Sequence, residues 1–111
     1  MKEKKTDLLQ GTLDMLVLKA LALGPMHVLG VSTRIAQITQ GVFQVKPGSL
    51  FPALHRMEAA GFVTSTDEFI GGKRRRTYAL TDAGVARLDA RRTEWTAFST
   101  LVSRMIGVQP A

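Results

Sequence analysis

The chain has no cysteine. That excludes disulfides, thiolate metal sites and thiol catalysis together, and it agrees with a reducing, cytoplasmic setting. Its two histidines, His27 and His55, have no carboxylate at metal-ligand spacing, so no zinc site is expected. Acidic residues are few, and Asp7, Asp14, Glu58, Asp67, Glu68, Asp82, Asp89 and Glu94 form no evident pair with a nucleophile. Gly72-Lys73 lacks the upstream glycine and the Ser/Thr of a phosphate-binding loop. Neither an enzyme nor a cofactor is expected. Long hydrophobic runs are missing as well. Asp14 and Lys19 interrupt the apolar stretch behind the charged MKEKKTD, and no small-residue cleavage site follows, so neither a signal peptide nor a membrane span is expected. There is no internal repeat, low-complexity segment or interdomain linker.

What is present describes an ordered domain. At 111 residues, 45% hydrophobic and 22% charged, the chain is long enough and apolar enough for a true core. Fifteen Lys+Arg against nine Asp+Glu leave a charge of +6, doubled in a homodimer, which favours a polyanionic partner such as nucleic acid or an acidic membrane face.

Helical periodicity predicts a first helix over about residues 6–23, carried by Leu8, Leu9, Leu13, Leu16, Val17, Ala20 and Leu21 and closed by Gly24-Pro25. The Lys2, Lys4, Lys5 cluster before it reads as a mobile tail. A second helix is expected from Val28 to Thr39 with Val31, Ile35 and Ile38 buried, and His27 capping or packing at its start. Val42-Phe43-Gln44-Val45 reads as a short extended run able to pair with a later hairpin. Pro47 suits the first position of a third helix, whose Leu50, Leu54 and Met57, with Ala53 and Ala60 nearby, face a core. Pro52 lies so near the N-terminus that the helix survives it, and Gly61 is the stop.

Phe62–Thr66 and Arg75–Leu80 are β-prone runs around Ile70-Gly71-Gly72, a hairpin signal, with Lys73, Arg74, Arg75 and Arg76 at its tip and rising edge. Thr81-Asp82 then offers an N-cap for a last helix reaching about Ile106. Leu88, Trp95 and Val102 stand seven apart, as do Phe98 and Met105, in a heptad-like seam interrupted by Arg91 and Arg92. A helix so long, on so small a core, predicts a dimer. The expected fold is mainly α with a small β-hairpin: a winged helix-turn-helix over residues 1–80 and a C-terminal dimerisation helix over 81–111, in one compact domain.

The segments LLQGTLDMLVLKALALGPMHVLG, KPGSLFPALHRMEAAGFV and RRRTYALTDAG, in that order and spacing, closely resemble the PadR-like transcriptional regulators. The resemblance covers nearly the whole chain, and GSLFPALHRMEAAG is its most specific part. It implies a bacterial winged-helix repressor that binds DNA as a homodimer, with the third helix in the major groove, the wing on the backbone or minor groove, and the last helix building the dimer. Two departures are visible. Phe51 stands where members often carry Tyr, removing a hydroxyl able to contact phosphate, and Val28-Leu29 replaces the usual Gly-Tyr pair, with consequences for local helix-start packing.

Candidate DNA-binding residues follow. On the third helix Ser49, Phe51, His55 and Arg56 lie off the packed stripe, where short polar groups meet phosphate and Arg reaches a guanine edge. The alternative is a solvated face with Ser49 as a local cap and Phe51 partly buried under the first helix. Lys73, Arg74, Arg75 and Arg76 repel one another and gain most when phosphates neutralise them; Lys46 is a further phosphate contact. Leu88, Trp95, Phe98, Val102 and Met105 are candidates for the dimer interface. In some members a tryptophan matching Trp95 stacks on planar ligands in an intersubunit pocket, so a small planar effector is one reading and a plain interface anchor the other. The expected partners are double-stranded DNA and a second copy of the chain, not a membrane. The competing readings are a winged-helix module that docks an acidic protein without DNA, and an RNA-binding winged helix, weaker because no aromatic stacking platform is visible.

Overall fold

The computed structural model of the chain describes residues 2–108, with side chains from Gly11 onward. Its elements run α1 (Lys2–Ala22), β1 (Met26–His27), α2 (Val28–Ile38), α3 (Pro47–Ala59), β2 (Val63–Ile70), β3 (Lys73–Leu80) and α4 (Asp82–Ile106). The helical backbone of α1 begins at Lys2, where the sequence had suggested a tail.

α1 is the hub. Val17, Leu18, Ala20 and Leu21 are buried on the side that meets α2, α3, α4 and β3. Val31 and Ile35 of α2 and Leu50, Ala53, Leu54 and Met57 of α3 close on it, with Val63, Tyr78 and Leu88 below. Leu50 and Leu54 have no exposed surface, so each contributes about 2 kcal/mol of apolar transfer. Ile38 was expected in this core but is 51% exposed, because α2 ends at the Thr39 C-cap after running one turn past the apolar layer.

The sheet is antiparallel in the order β1-β3-β2. The strand expected at residues 42–45 does not form. Met26 and His27 occupy the free edge of β3, pairing with Tyr78 and Thr77. Residues 40–45 turn back locally instead: Gln40 and Gly41 have positive φ, Thr39 Oγ1 accepts from the Phe43 N–H at 3.1 Å, and Ser32 Oγ donates to the Val45 carbonyl. His27 holds the N-cap position of α2 with extended backbone but makes no side-chain cap bond.

The end of α3 and the start of α4 are knitted together. Gly61 adopts φ +85° and stops α3. Thr81 Oγ1 donates to the Gly61 carbonyl at 2.6 Å and accepts from the Gly84 N–H at 3.1 Å, and the Thr81 N–H donates to the Phe62 carbonyl. Gly84 packs on that turn so tightly that a Cβ would lie 2.1 Å from the Phe62 carbonyl oxygen. From there α4 projects out of the body. Its 25 residues span roughly 37 Å at 1.5 Å per residue, yet only Gly84 and Leu88 are buried. The molecule accordingly measures 55 × 30 × 28 Å.

Candidate nucleic-acid interface

The buried stripe of α3 leaves its opposite surface to solvent, with Ser49, Phe51 and His55 all exposed. Phe51 and His55 stand one turn apart with ring centroids 6.4 Å apart, tilted by 41°. Phe51 is 40% exposed, so it is part of the outward surface and not hidden under α1. Ser49 does not cap the helix. Lys46 holds the N-cap position, its carbonyl accepting from the Ser49 and Leu50 N–H groups, and its side chain stays exposed.

Arg56 also has a partner within the chain. Its guanidinium donates to Asp14 of α1 at 2.8 Å, in a cleft of about 280 Å³ also lined by Arg87 and Arg91 of α4. It lies on the flank of α3 turned toward α1 and α4, where the ion pair leaves its side chain 40% exposed. Two neighbours reinforce that flank: Arg91 donates to the Gly11 carbonyl at 3.2 Å, and Arg87 lies 5.8 Å over the Phe62 ring.

Beside the start of α3, an open cleft of about 700 Å³ is lined by Ser32, Thr33, Gln37, Gln40, Gln44 and Lys46. The three carboxamides were missed by sequence reasoning, which saw only a helix end and an extended run. A signal existed in their clustering just ahead of the helix, since Gln is an adenine reader by type.

The wing is longer than expected. β2 and β3 are joined by the two-residue turn Gly71-Gly72, whose φ values of +59° and +77° match the mirror-image turn that suits strand twist. Lys73 and Arg74 are therefore paired strand residues opposite Ile70 and Phe69. Alternation puts Arg74, Arg76 and Tyr78 on one face and Lys73, Arg75 and Thr77 on the other. On the first face Asp67, directly opposite Arg76, accepts from Arg76 Nε at 3.2 Å and from the Arg74 guanidinium. Hydrogen bonds from Arg74 first, then Arg76, hold its carboxyl below the usual carboxylate range. Sequence reasoning missed this internal counter-charge. Lys73 and Arg75 make no ion pair among the described residues, although Glu68 is the cross-strand neighbour of Arg75. At the base of the stalk Ser65 Oγ donates to Glu58 Oε2 of α3 at 2.6 Å, tying the foot of β2 to that helix.

On α4 the candidate seam divides. Leu88 is 3% exposed and belongs to the chain's own core, so it is not an interface residue: the body extends one turn farther along α4 than a heptad count reveals. Beyond it Trp95 and Phe98 are half exposed, with ring centroids 6.3 Å apart, and Val102 and Met105 are 40% and 87% exposed. Among the described residues no group of His, Asp and Glu is gathered as for a metal, and no helix is long and apolar enough to cross a membrane.

A helix-turn-helix whose second member presents an outward polar face, flanked by a basic hairpin, defines a winged helix-turn-helix protein. The model of the transcriptional regulator PadR-like family matches residues 17–90, and the chain belongs to that family, whose members are transcriptional regulators and not enzymes. It is 36% identical over 73 residues to the transcriptional regulator Rv3488 of Mycobacterium tuberculosis, a match spanning 66% of this chain and 65% of that protein. In fold it is similar to a transcriptional regulator from Clostridium thermocellum, with TM-score 0.81 at 24% identity, covering 88% of this chain and 96% of that one. It is also similar to Bacillus subtilis PadR in complex with operator DNA, with TM-score 0.65 at 22% identity, covering 71% and 45% of the two chains.

Proposed function

We propose that the chain is a cytoplasmic repressor that binds an inverted-repeat operator as a homodimer, α3 reading the major groove and the wing anchoring on phosphate. The observation that supports this reading is that two different surfaces sit on neighbouring elements, since α3 packs against β2 at the base of the wing. Ser49, Phe51 and His55 offer short polar, aromatic and imidazole groups for bases and sugars, while Lys73 and Arg75 offer unpaired charge. The operator complex of the Bacillus subtilis relative supports it by analogy of fold. Arg56, paired with Asp14 yet partly exposed at the flank of α3, is read as a further base contact.

Dimerisation through α4 is part of the proposal. Trp95, Phe98, Val102 and Met105, with Leu101 62% and Ile106 67% exposed, make an exposed apolar face on α4 of the kind that marks an interaction site. A planar effector stacking on the tilted Trp95–Phe98 pair would act by favouring one spacing of the two reading helices over another, which requires different affinities for the two arrangements.

The test is retardation of the chain's own upstream DNA across a salt series. Binding that falls steeply with salt, and flattens by about one slope unit per lost phosphate contact when Lys73 and Arg75 are neutralised, is expected. Unchanged affinity in that double variant would remove the wing from the interface. Capture of an acidic protein with no retardation of any duplex would replace the DNA reading with the docking-module one.

A further inference from the structure

The wing ends in apolar side chains that the chain itself does not use. Phe69 is 79% exposed and Ile70 is half exposed, immediately before the Gly71-Gly72 turn. The register gives each a cation as cross-strand partner, Phe69 opposite Arg74 and Ile70 opposite Lys73. Because successive side chains alternate, one apolar group and one cation flank the turn on each face of the ribbon. A Cβ at either turn glycine would meet nothing within 4 Å, so the tip is a narrow projection of bare backbone. It stands about 17 Å along β3 from Tyr78, the strand's buried residue, at roughly 3.4 Å per residue.

We propose that the wing tip enters the minor groove of duplex DNA with Phe69 as an apolar wedge that unstacks a base step, Ile70 on the other face packing against the groove wall, and Lys73 and Arg74 on the flanking phosphates. The proposal rests on the DNA-binding reading above. A minor groove about 6 Å wide excludes a whole two-stranded ribbon but admits a side chain from its tip. Phe and Ile belong to the residue types that open base steps and kink a duplex, and pyrimidine–purine steps yield most easily. Charge complementarity points to the same ligand, since a cation stands on each face of the tip. The Ser65–Glu58 bond ties the base of the stalk to α3, the helix read above as meeting the same duplex.

The experiment compares the full chain with Phe69→Ser/Ile70→Ser, exposed tip positions whose change leaves the core intact, on a duplex selected from a random pool. Affinity, salt slope and the bend angle from end-labelled duplex are read, along with binding to phosphatidylglycerol vesicles. The expected result is loss of the bend, loss of preference for TA or CA/TG steps at the wing position and a roughly five- to tenfold weaker affinity, with the salt slope unchanged. Phe69→Leu should keep most of the bend. Equal affinity and equal bend in the serine variant overturn the wedge while leaving DNA binding intact. Retention of no duplex by either protein overturns both. Vesicle binding that the serine variant loses, with its bend unchanged, assigns the tip to lipid and also overturns the wedge.

Discussion

Asp67 should limit how tightly the wing holds DNA, and Asp67→Asn isolates that effect because it removes charge while keeping shape. Four wing cations, Lys73, Arg74, Arg75 and Arg76, face two wing anions, Asp67 and Glu68, so the hairpin's net charge of +2 rises to +3 in the variant. The change matters locally, since Asp67 holds both Arg74 and Arg76. If phosphate must displace that carboxylate, the variant frees up to two guanidiniums per protomer. At about 0.9 slope units per phosphate contact, the logarithmic salt dependence should steepen by up to about 1.8 per protomer. Going from 50 to 200 mM salt would then cost the variant roughly tenfold more affinity per protomer than it costs the parent, starting from tighter binding at low salt. Fluorescence anisotropy on one labelled duplex at several salt concentrations measures it. The pair is solvent-exposed, so thermal stability should barely move. The folded carboxyl titrates below its unfolded value, so whatever stability the pair adds is present above the unfolded pKa of about 3.9 and lost as pH falls through the lower folded one. The difference in DNA affinity between variant and parent should therefore be flat from about pH 5 to 8. Weaker binding by the variant with an unchanged slope would refute the reasoning, and would mean that Asp67 prepositions the two arginines instead of competing for them.

Gly84→Ala should destabilise the fold by about 3 kcal/mol in urea unfolding, because the new methyl meets backbone at Phe62; a change under about 0.5 kcal/mol would show that the α4 start can shift freely. Thr81→Ala, which loses the cap of Gly84 and the bond to Gly61, should cost about 1 kcal/mol by the same measurement. Leu88→Ala and Trp95→Ala should separate cleanly. The first should lower the unfolding free energy by about 3 kcal/mol through a core cavity, and the second should leave it nearly unchanged at a fixed low concentration while weakening self-association by about 2 kcal/mol in sedimentation equilibrium. The reverse pattern would place the seam at the wrong end of α4.

The sequence made most of the fold legible where local chemistry decides it. The Leu50, Leu54 and Met57 stripe, the Gly61 stop and the Thr81 cap each rest on neighbours within a turn or two, and all appear in the structure. What depends on distant chain was hidden. The two-residue strand at Met26 exists only because β3 has an open edge, and Arg56 meets Asp14 across 42 positions. Leu88 and Trp95 share one heptad spacing, so only the placement of the body along α4 distinguishes core from exposed seam. Asp67 is the instructive case between these. Once Gly71-Gly72 is taken as a two-residue turn, the register sets Asp67 opposite Arg76, and the counter-charge was readable from the turn alone.

The central claim is that two copies of this chain read one duplex symmetrically. Selection of bound sequences from a random DNA pool, with the stoichiometry of the recovered complex measured by mass, tests it most directly. The account predicts an enriched inverted repeat whose half-sites lie about one helical turn apart, or a multiple of it, occupied by two chains. A single unrepeated half-site bound by one chain, or a pool that never enriches, would contradict it.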